Sequence, residues 1–323
     1  MVTLHTNSIL RERYKITNMV GKGGMGSVYR AEDLRLPGRL CAIKVVEPDP
    51  NLTVEQQRQA QSQFLQEASI LAQLDHPNLP KVSDFFSEDN RDFLVMDFVP
   101  GDDLKEILEA AQGPLPEKQV LSWAKQIVAG LSHLHRQKPP VLHRDIKPAN
   151  IKLTPDDRIK LVDFGLVKLM VPDDARTITV VQGRGTVLYT PLEQYGGGGG
   201  HTDARTDIYA LGGTLYQLLT NTPPLDAKSR FLNPHKLKPP MVLNPAVSPT
   251  VSDAVMWALR MHPDDRPDTV RQFYRVLSGK EPLPGRKTAV TTTQLFTEAM
   301  KENWIPIILA FALFLMAVLL TII

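Results

Sequence analysis

Residues 141–165 read VLHRDIKPANIKLTPDDRIKLVDFG, and this stretch decides how the rest of the chain is interpreted. It contains two short apolar runs, residues 151–153 and 159–162, on either side of the turn sequence TPDD. Apolar runs of this length around a turn rich in Pro and Asp predict a β-hairpin. Polar residues precede and follow that hairpin, so we expect two short strands with a loop displayed on each side.

The polar residues of this stretch have the chemistry that metal-assisted phosphoryl transfer requires. Such a transfer needs a carboxylate to orient the attacking hydroxyl, a cation to absorb charge, and oxygen ligands for Mg²⁺. Asp145 can supply the carboxylate and Lys147 the cation, while Asn150 and Asp163 can ligate the metal. The alternative is a surface hairpin that is merely rich in charged residues, which this spacing does not favour.

Three segments carry a resemblance to a known family: HRD at 143–145, KPAN at 147–150 and DFG at 163–165. They resemble the catalytic core of the protein kinases, and in particular the bacterial Ser/Thr kinases of eukaryotic (Hanks) type. The resemblance implies an α+β, bilobal protein-kinase fold, with a small β-rich N-terminal lobe and a mainly helical C-terminal lobe. It also implies ATP and Mg²⁺ as cofactors, with Mn²⁺ as a substitute metal, and proteins with Ser or Thr hydroxyls as substrates.

A glycine-rich segment lies near the start of the chain, where residues 21–28 read GKGGMGSV. Glycines let the backbone close over phosphate groups, where any Cβ would hold it away. Dinucleotide-binding turns share this pattern, but in them a helix follows, whereas residues 27–31 continue as a strand. A kinase loop is therefore favoured over a Rossmann turn. The expected nucleotide contacts of this loop are Gly21, Lys22, Gly23, Gly24, Met25, Gly26 and Val28.

The resemblance also identifies a lysine and a glutamate on the elements that follow. Lys44 ends the run AIK and would hold the α- and β-phosphates. Residues 64–74 have apolar residues at helical spacing, after a polar, glutamine-rich stretch. Glu67 stands at the edge of that apolar face and resembles the kinase glutamate that pairs with the lysine. A solvated helix carboxylate is the alternative interpretation of Glu67.

The expected adenine pocket lies at the hinge between the lobes, after the apolar strand FLVM. Backbone groups from Asp97 to Val99 would bind the base, and Val28 and Ala42 would cover it. Lys152 occupies the floor position, where the family has an aliphatic residue. The alkyl stem of the lysine could make the same contact.

The segment from the DFG motif to Glu193 resembles the kinase activation segment. Thr177 and Thr179 lie in its middle and are the expected regulatory phosphorylation sites. Arg144 would pair with a phosphate group there. The stretch GTVLYTPLEQY, residues 185–195, resembles the GTPGYAPPEQY of the bacterial kinases.

Several other residues of the second lobe are expected to have structural roles. Apolar residues at helical spacing over 120–134 predict a long core helix, and His135 at its end is expected to be a surface or capping group. By resemblance, Asp207 would hold the backbone of the catalytic loop, and Arg266 would pair with Glu193.

Composition limits the classes of function. The chain of 323 residues is long enough for two packed lobes. Its net charge of +2 argues against nucleic acid as the main partner. The single cysteine, Cys41, excludes an internal disulfide framework and fits a reducing compartment. No apolar N-terminal stretch of signal-peptide type is present.

The apolar stretch lies at the C-terminal end, where residues 305–323 read IPIILAFALFLMAVLLTII. As a helix this run would be roughly 28 Å long, close to the ~30 Å of a bilayer core. Trp304 marks one interface, and the basic residues Arg286, Lys287 and Lys301 favour a cytoplasmic location for the preceding part. A buried C-terminal helix is the alternative. We expect a single-pass protein of the cell membrane, with no sensor domain after the span.

The sequence therefore predicts four segments and one leading function. The segments are a flexible N-terminus (1–13), a protein kinase domain (14–279), a juxtamembrane linker (280–303) and a transmembrane helix (304–323). The leading hypothesis is a membrane-anchored signalling kinase that phosphorylates proteins and, in a homodimer, itself. A membrane-anchored pseudokinase scaffold is the alternative, although such scaffolds commonly lose catalytic residues that this chain keeps. A small-molecule kinase is disfavoured by the full-length activation segment.

Overall fold

The computed structural model describes residues 4–23, 26–47, 51–163, 187–195 and 202–285. The contacts within the chain divide it into two units, Met1–Glu281 and Pro282–Ile323. Some predictions concern residues outside the described ranges: Gly24 and Met25 of the glycine-rich segment, the phosphorylation sites Thr177 and Thr179, and the linker and membrane helix from residue 286 onward.

The first lobe is built on a six-stranded antiparallel sheet. Its strands are β1 (Ile9–Leu10), β2 (Tyr14–Gly23), β3 (Gly26–Asp33), β4 (Leu40–Val46), β5 (Val82–Glu88) and β6 (Arg91–Asp97). Across the sheet the order is β1-β2-β3-β4-β6-β5. Tyr14, Tyr29, Ile43 and Phe93 are among the side chains that one face of the sheet buries in a common core. The residues between them point to the other face of the sheet, because successive residues of a strand alternate between faces.

The N-terminal residues differ from the flexible lead-in that their polar sequence predicted. Strand β1 pairs with β2, and Leu4 packs against the core of the sheet. Arg13 donates two hydrogen bonds to the carboxylate of Asp33, at 2.9 and 2.7 Å. A two-residue strand has no periodicity to detect, and the ion pair joins positions 20 residues apart. Neither feature leaves a local signal in the sequence.

One helix, α1 (Val54–Ala72), packs against β5 and β6 of this sheet. It begins at a capping box, in which Thr53 and Gln56 each accept a hydrogen bond from the other's backbone N–H. The glutamine-rich stretch is therefore the first half of the helix. The buried residues Phe64, Ala68 and Leu71 face the lobe, which confirms the helical spacing seen in the sequence.

The second lobe is mainly helical. Its helices are α2 (Leu104–Ala111), α3 (Glu117–His135), α4 (Ala204–Thr220), α5 (Ala227–Leu232), α6 (Pro240–Leu243), α7 (Pro249–Ala258) and α8 (Val270–Leu277). Helix α4 is buried on nearly every side and packs against α3, α7 and α8. The predicted core helix is α3, whose Trp123, Ile127 and Leu131 are fully buried. The predicted hairpin is confirmed as β7 (Ile151–Leu153) and β8 (Ile159–Leu161).

Of the second unit, the structure describes residues 282–285, which include a turn. Within the described residues, no helix combines the length and the apolar character needed to cross a bilayer. The predicted membrane span lies outside the described residues.

Candidate active site

Asp207 lies in the first turn of α4 and holds the backbone that leads into Asp145. Its carboxylate accepts hydrogen bonds from the backbone N–H groups of His143 (2.9 Å) and Arg144 (2.7 Å). Arg144 has a φ of 64°, in the left-handed region, where a non-glycine residue costs on the order of 1 kcal/mol. The hydrogen bonds to Asp207 stabilise this conformation, so the predicted role of Asp207 is confirmed.

His135, at the end of α3, also belongs to this arrangement. Its Nε2 lies 2.8 Å from Oδ2 of the fully buried Asp207. Burial alone would raise the pKa of Asp207, but the hydrogen bond and charge of His135 outweigh burial, and the pKa lies below its usual range. The expectation that His135 is only a surface or capping group was wrong. Its partner is 72 residues away in the sequence, so no local spacing could reveal the contact.

Asp145, the predicted catalytic carboxylate, follows directly and is held by two neighbours. Lys147 donates to its Oδ2 at 2.9 Å. Asn150 donates from Nδ2 to the same oxygen at 2.9 Å and to the backbone carbonyl of Asp145 at 2.8 Å. Because both side chains reach Oδ2, Oδ1 is the oxygen that can accept a hydrogen bond from a substrate hydroxyl.

The β7–β8 hairpin connects Asp163 to the surroundings of Asp145, because the backbone N–H of Val162 donates to the carbonyl of Asn150 at 2.9 Å and Asn150 contacts Asp145. The Nδ2 of Asn150 is used by Asp145, which leaves its Oδ1 as a ligand for a cation. Within the described part of the chain, no three His, Cys, Asp or Glu side chains cluster closely enough to hold a metal. A divalent ion at Asn150 and Asp163 would therefore take phosphate oxygens as further ligands, as Mg²⁺ usually does.

Lys44 pairs with Asp163 in this conformation, with Nζ 2.5 Å from Oδ1. Burial alone would raise the pKa of Asp163. The charge of Lys44 and its hydrogen bond outweigh burial, so the pKa of Asp163 lies below its usual value. Asp163 is therefore ionised at neutral pH and chemically suited to a cation.

Glu67 faces inward from α1 but does not pair with Lys44. Its side chain is 7% exposed, and neither carboxyl oxygen has a hydrogen-bond partner among the described residues. Burial raises the pKa of Glu67 to about 8, against the opposing effect of Arg144. The predicted Lys44–Glu67 pair is thus wrong for this conformation, because Lys44 is bound to Asp163 and a largely neutral Glu67 needs no cation.

Glu67 and Arg144 both line a cavity of about 530 Å³ between α1 and the residues that precede the catalytic loop. Ile70 and Leu71 of α1, with Val141 and Leu142, give much of its wall an apolar character. Burial lowers the pKa of Arg144, but an arginine remains charged at any physiological pH. The cavity therefore brings the cation of Arg144 to the same space as Glu67, a carboxyl group whose charge depends on pH, and its lining also includes His135, Asp203 and Asp268.

The side chains expected above the nucleotide share one face of the sheet. Val28 lies opposite Lys44, and Ala42 lies opposite Met96. Side chains directly opposite each other in an antiparallel sheet point to the same side. Ala42 and Lys44 are two residues apart and also point together. Val28, Ala42 and Lys44 thus form one surface, as the sequence predicted.

The glycine-rich segment forms the end of β2 and the start of β3, with Gly23 paired to Gly26. Gly26 has a φ of 138°, and a Cβ there would lie 1.9 Å from the carbonyl oxygen of Val45, so packing requires glycine. At Gly21 a Cβ would meet no protein atom within 4 Å. Packing does not explain glycine at that position, whereas close approach of a phosphate group does. Lys22, next to it, is exposed.

The hinge begins at Asp97, the last residue of β6, and contacts on both sides fix it. The backbone N–H of Asp97 donates to the carbonyl of Lys81 at 3.0 Å. The carboxylate of Asp97 lies 3.4 Å from Arg39. Val99 is buried. Lys152, at the expected floor, is half-buried in β7, and its backbone bridges to Asp103 at the start of α2.

Glu193 and Arg266 form a buried ion pair below the catalytic loop. Two nitrogens of Arg266 donate to the two carboxylate oxygens of Glu193, at 2.6 and 3.1 Å. Thr206 donates to the same carboxylate at 3.3 Å. The predicted pair is confirmed, and it joins the end of the activation segment to the loop before α8.

Comparison with known proteins agrees with this geometry. Residues 14–301 match the protein kinase domain family. PrkC, a serine/threonine-protein kinase of Bacillus subtilis, is 36% identical over 267 residues, which are 81% of this chain and 39% of PrkC. A probable serine/threonine-protein kinase of Streptomyces coelicolor is 34% identical over 264 residues, which are 79% of this chain and 38% of that protein. The chain thus spans about two fifths of the length of these relatives.

Solved structures show the same fold. The kinase domain of PknI from Mycobacterium tuberculosis is 27% identical, with a TM-score of 0.65, and the likeness covers 86% of this chain and 100% of that one. The bilobal architecture is therefore that of a known kinase domain. The chain belongs to the protein kinase family, and both curated relatives named above are bacterial serine/threonine-protein kinases.

Proposed function

We propose that this chain transfers the γ-phosphoryl group of ATP to Ser and Thr hydroxyls of proteins, including its own. The observation that supports this most directly is the convergence of Lys147 and Asn150 on Asp145. A carboxylate fixed by a cation and an amide, with one oxygen left for a hydroxyl, is the arrangement that phosphoryl transfer needs.

Each side chain of the site has a distinct part in the reaction. Lys44 holds the α- and β-phosphates once it leaves Asp163. Asp145 orients the substrate hydroxyl through Oδ1 and accepts its proton, while the oxygen attacks the γ-phosphorus and the bond to the β-phosphate oxygen breaks. Lys147 stabilises the negative charge on the transferred group. Asn150 and Asp163 would hold Mg²⁺, or Mn²⁺, which neutralises phosphate charge.

Glu67 has a positioning part in this scheme. After Lys44 turns to the phosphates, the carboxylate of Glu67 can pair with it, as in the kinases that the chain resembles. The described conformation, with Lys44 on Asp163, precedes that exchange. Adenine would bind to backbone groups from Asp97 to Val99, below Val28 and Ala42.

We also propose regulation by phosphorylation at Thr177 or Thr179. Arg144 is charged, half-buried and next to Asp145, and it lines a cavity large enough for a phosphorylated side chain. A phosphate group paired with Arg144 would order the activation segment. The test is the double variant Thr177→Ala, Thr179→Ala, which should lose the increase in activity that follows preincubation with ATP. Undiminished activation would reject this mechanism.

The membrane anchor is a further part of the proposal, and the uncharged run at 305–323 supports it. Anchoring would place the kinase domain in the cytoplasm and raise the local concentration of other copies, which favours a homodimer that phosphorylates itself in trans. Alkaline carbonate extraction of cells should leave the full chain with the membranes and release a chain that lacks residues 304–323. Extraction of both forms would reject the anchor.

The catalytic proposal is tested with the full chain in detergent, labelled ATP and a generic protein substrate. We expect label on Ser and Thr residues only when Mg²⁺ or Mn²⁺ is present, and phosphosite mapping identifies the acceptors. Binding of ATP without any transfer would instead identify a pseudokinase scaffold.

A further inference from the structure

One surface of the second lobe exposes more large apolar side chains than folding explains. Between residues 104 and 285, every exposed large hydrophobic side chain of the described residues lies in the stretch 231–243. Phe231 is 67% exposed and Leu232 is 77% exposed, at the end of α5. The others are Met241, Val242 and Leu243, in α6. We call the exposed side chains of residues 228–243 the α5–α6 face.

The backbone beneath this face is held by buried contacts. Arg230 points inward and donates to the hydroxyl of Tyr209 at 2.9 Å and to the carbonyl of Leu259 at 2.6 Å. Tyr216 donates to the carbonyl of Lys238 at 2.9 Å. The inward residues of the stretch already fill their places in the core, so the apolar residues on the face are held in the solvent. Exposed large apolar side chains concentrated in one short stretch of a lobe are typical of an interaction site.

The charge of the face limits what can bind there. Residues 227–252 include no acidic residue. Lys236 and Lys238 are exposed between the apolar residues of α5 and those of α6. A surface that combines lysines with Phe and Leu side chains fits the interface of an anionic bilayer, where the apolar groups enter the headgroup layer and the ammonium groups meet phosphates.

The chain itself would keep a bilayer within reach. Residues 286–304 can span at most roughly 65 Å between the described part of the chain and the apolar run at 305–323. We propose that the α5–α6 face docks on the surface of the anionic bilayer in which the chain is anchored. This inference rests on the proposed anchor. It adds that the kinase domain lies against the membrane in a defined orientation, with the α5–α6 face toward the lipid.

The experiment uses the full chain in vesicles and a fluorescent probe on the face. Leu232→Cys places an environment-sensitive label there, and Cys41 is fully buried and does not compete for it. Leu34→Cys, on an exposed position of the first lobe, is the matched control. Vesicles of phosphatidylcholine are compared with vesicles that also contain phosphatidylglycerol, with brominated lipids as quenchers. Flotation with the vesicles reports the anchor independently of the probe.

We expect a blue shift and bromine quenching at position 232 in the anionic vesicles, and neither effect at position 34. The double variant Lys236→Glu, Lys238→Glu should still float but should dock at least roughly tenfold more weakly, because each lysine near an anionic surface contributes about a fivefold factor.

A chain that floats without quenching at position 232, or with equal quenching in neutral vesicles, would overturn the inference and leave the anchor intact. A blue shift that grows with protein concentration without lipid would assign the face to a second copy and also overturn it. A chain that fails to float contradicts the anchor, and with it the basis of this proposal.

Discussion

Lys44 is hydrogen-bonded to Asp163 at 2.5 Å, so the cation expected to bind phosphate neutralises the carboxylate expected to bind metal. Both groups belong to the candidate active site, but each is bound to the other. Nucleotide and metal must exchange this ion pair for two new ones, Lys44 with phosphate and Asp163 with the ion. Binding of the nucleotide and binding of the metal should therefore depend on each other.

The first prediction concerns this dependence. ADP at a hundred times its Kd should stabilise the folded chain by about 2.7 kcal/mol when Mg²⁺ is present, and by clearly less in EDTA. The Asp163→Asn variant should respond equally weakly with and without Mg²⁺, because an amide neither holds Lys44 by charge nor competes well for the ion. Thermal denaturation measures the effect. Asp157→Asn, in the exposed turn of the hairpin, should behave as the wild type. Full Mg²⁺-dependent stabilisation of Asp163→Asn would contradict the assignment.

The second prediction concerns Asp145. Asp145→Asn keeps the shape of the side chain but removes the carboxylate that orients and deprotonates the hydroxyl. Turnover of a protein substrate should fall by several orders of magnitude, while ATP binding should change little, because Asp145 contacts Lys147 and Asn150 rather than Lys44. Initial rates and nucleotide titration separate the two effects. Asp157→Asn is again the control, and unchanged turnover in Asp145→Asn would exclude Asp145 as the catalytic carboxylate.

Much of the site could be read from the sequence because its residues lie on short, regular elements. The hairpin of β7 and β8 separates Asn150 from Asp163 by a fixed distance along the chain, and strand alternation places Ala42 and Lys44 together. Asp207 was identified by resemblance, and its contacts with the backbone of residues 143 and 144 follow from the packing of α4.

Other features could not be predicted because they depend on distant contacts or on the choice between conformations. The contact of His135 with Asp207 joins two helices and leaves no spacing pattern. Whether Lys44 meets Glu67 or Asp163 depends on the balance between burying Glu67 and pairing it. A sequence motif identifies these residues but does not determine that balance.

The third prediction concerns pH. The pKa of Glu67 is about 8 in the folded chain because of burial, compared with an ordinary value of 4.5. A raised pKa means that the folded state favours the neutral acid. The contribution of neutral Glu67 to the stability of the folded state is therefore complete below pH 4.5 and is lost as the pH rises through about 8. Between about pH 4.5 and 8 the described conformation should lose up to about 1.4 kcal/mol per pH unit relative to Glu67→Gln, which stays neutral, because the unfolded chain is ionised there and the folded chain is not. Above pH 8 both states are ionised, and the two curves should become parallel.

Urea denaturation at a series of pH values from about 4.5 to 9 measures this loss. The control is Glu55→Gln on the exposed start of the same helix, whose curve should remain parallel to that of the wild type. Ionised Glu67 can also be relieved by moving to Lys44, which would appear as a change in reactivity of Lys44 toward amine reagents over the same pH range. Parallel curves for the wild type and Glu67→Gln between about pH 4.5 and 8 would show that Glu67 is not buried as a neutral group.

The last prediction compares two ion pairs that differ in burial. The side chains of Arg266 and Glu193 are 0% and 8% exposed, whereas those of Arg275 and Glu281 are 61% and 33% exposed. Arg266→Leu would leave the carboxylate of Glu193 buried without its cation and should cost about 3–5 kcal/mol of the free energy of unfolding. Arg275→Leu should cost at most about 1 kcal/mol, since water and salt screen an exposed pair. Both variants remove one arginine and add the same apolar side chain, so urea denaturation compares the loss of the buried arginine, with all its hydrogen bonds, to the loss of the exposed one. Arg266→Leu should also reduce turnover, because Glu193 ends the activation segment and Arg266 joins it to the carbonyl groups of residues 260 and 261. Equal losses of stability in the two variants would mean that the Glu193 carboxylate finds water or another partner when Arg266 is removed, and that the pair does not hold this part of the lobe.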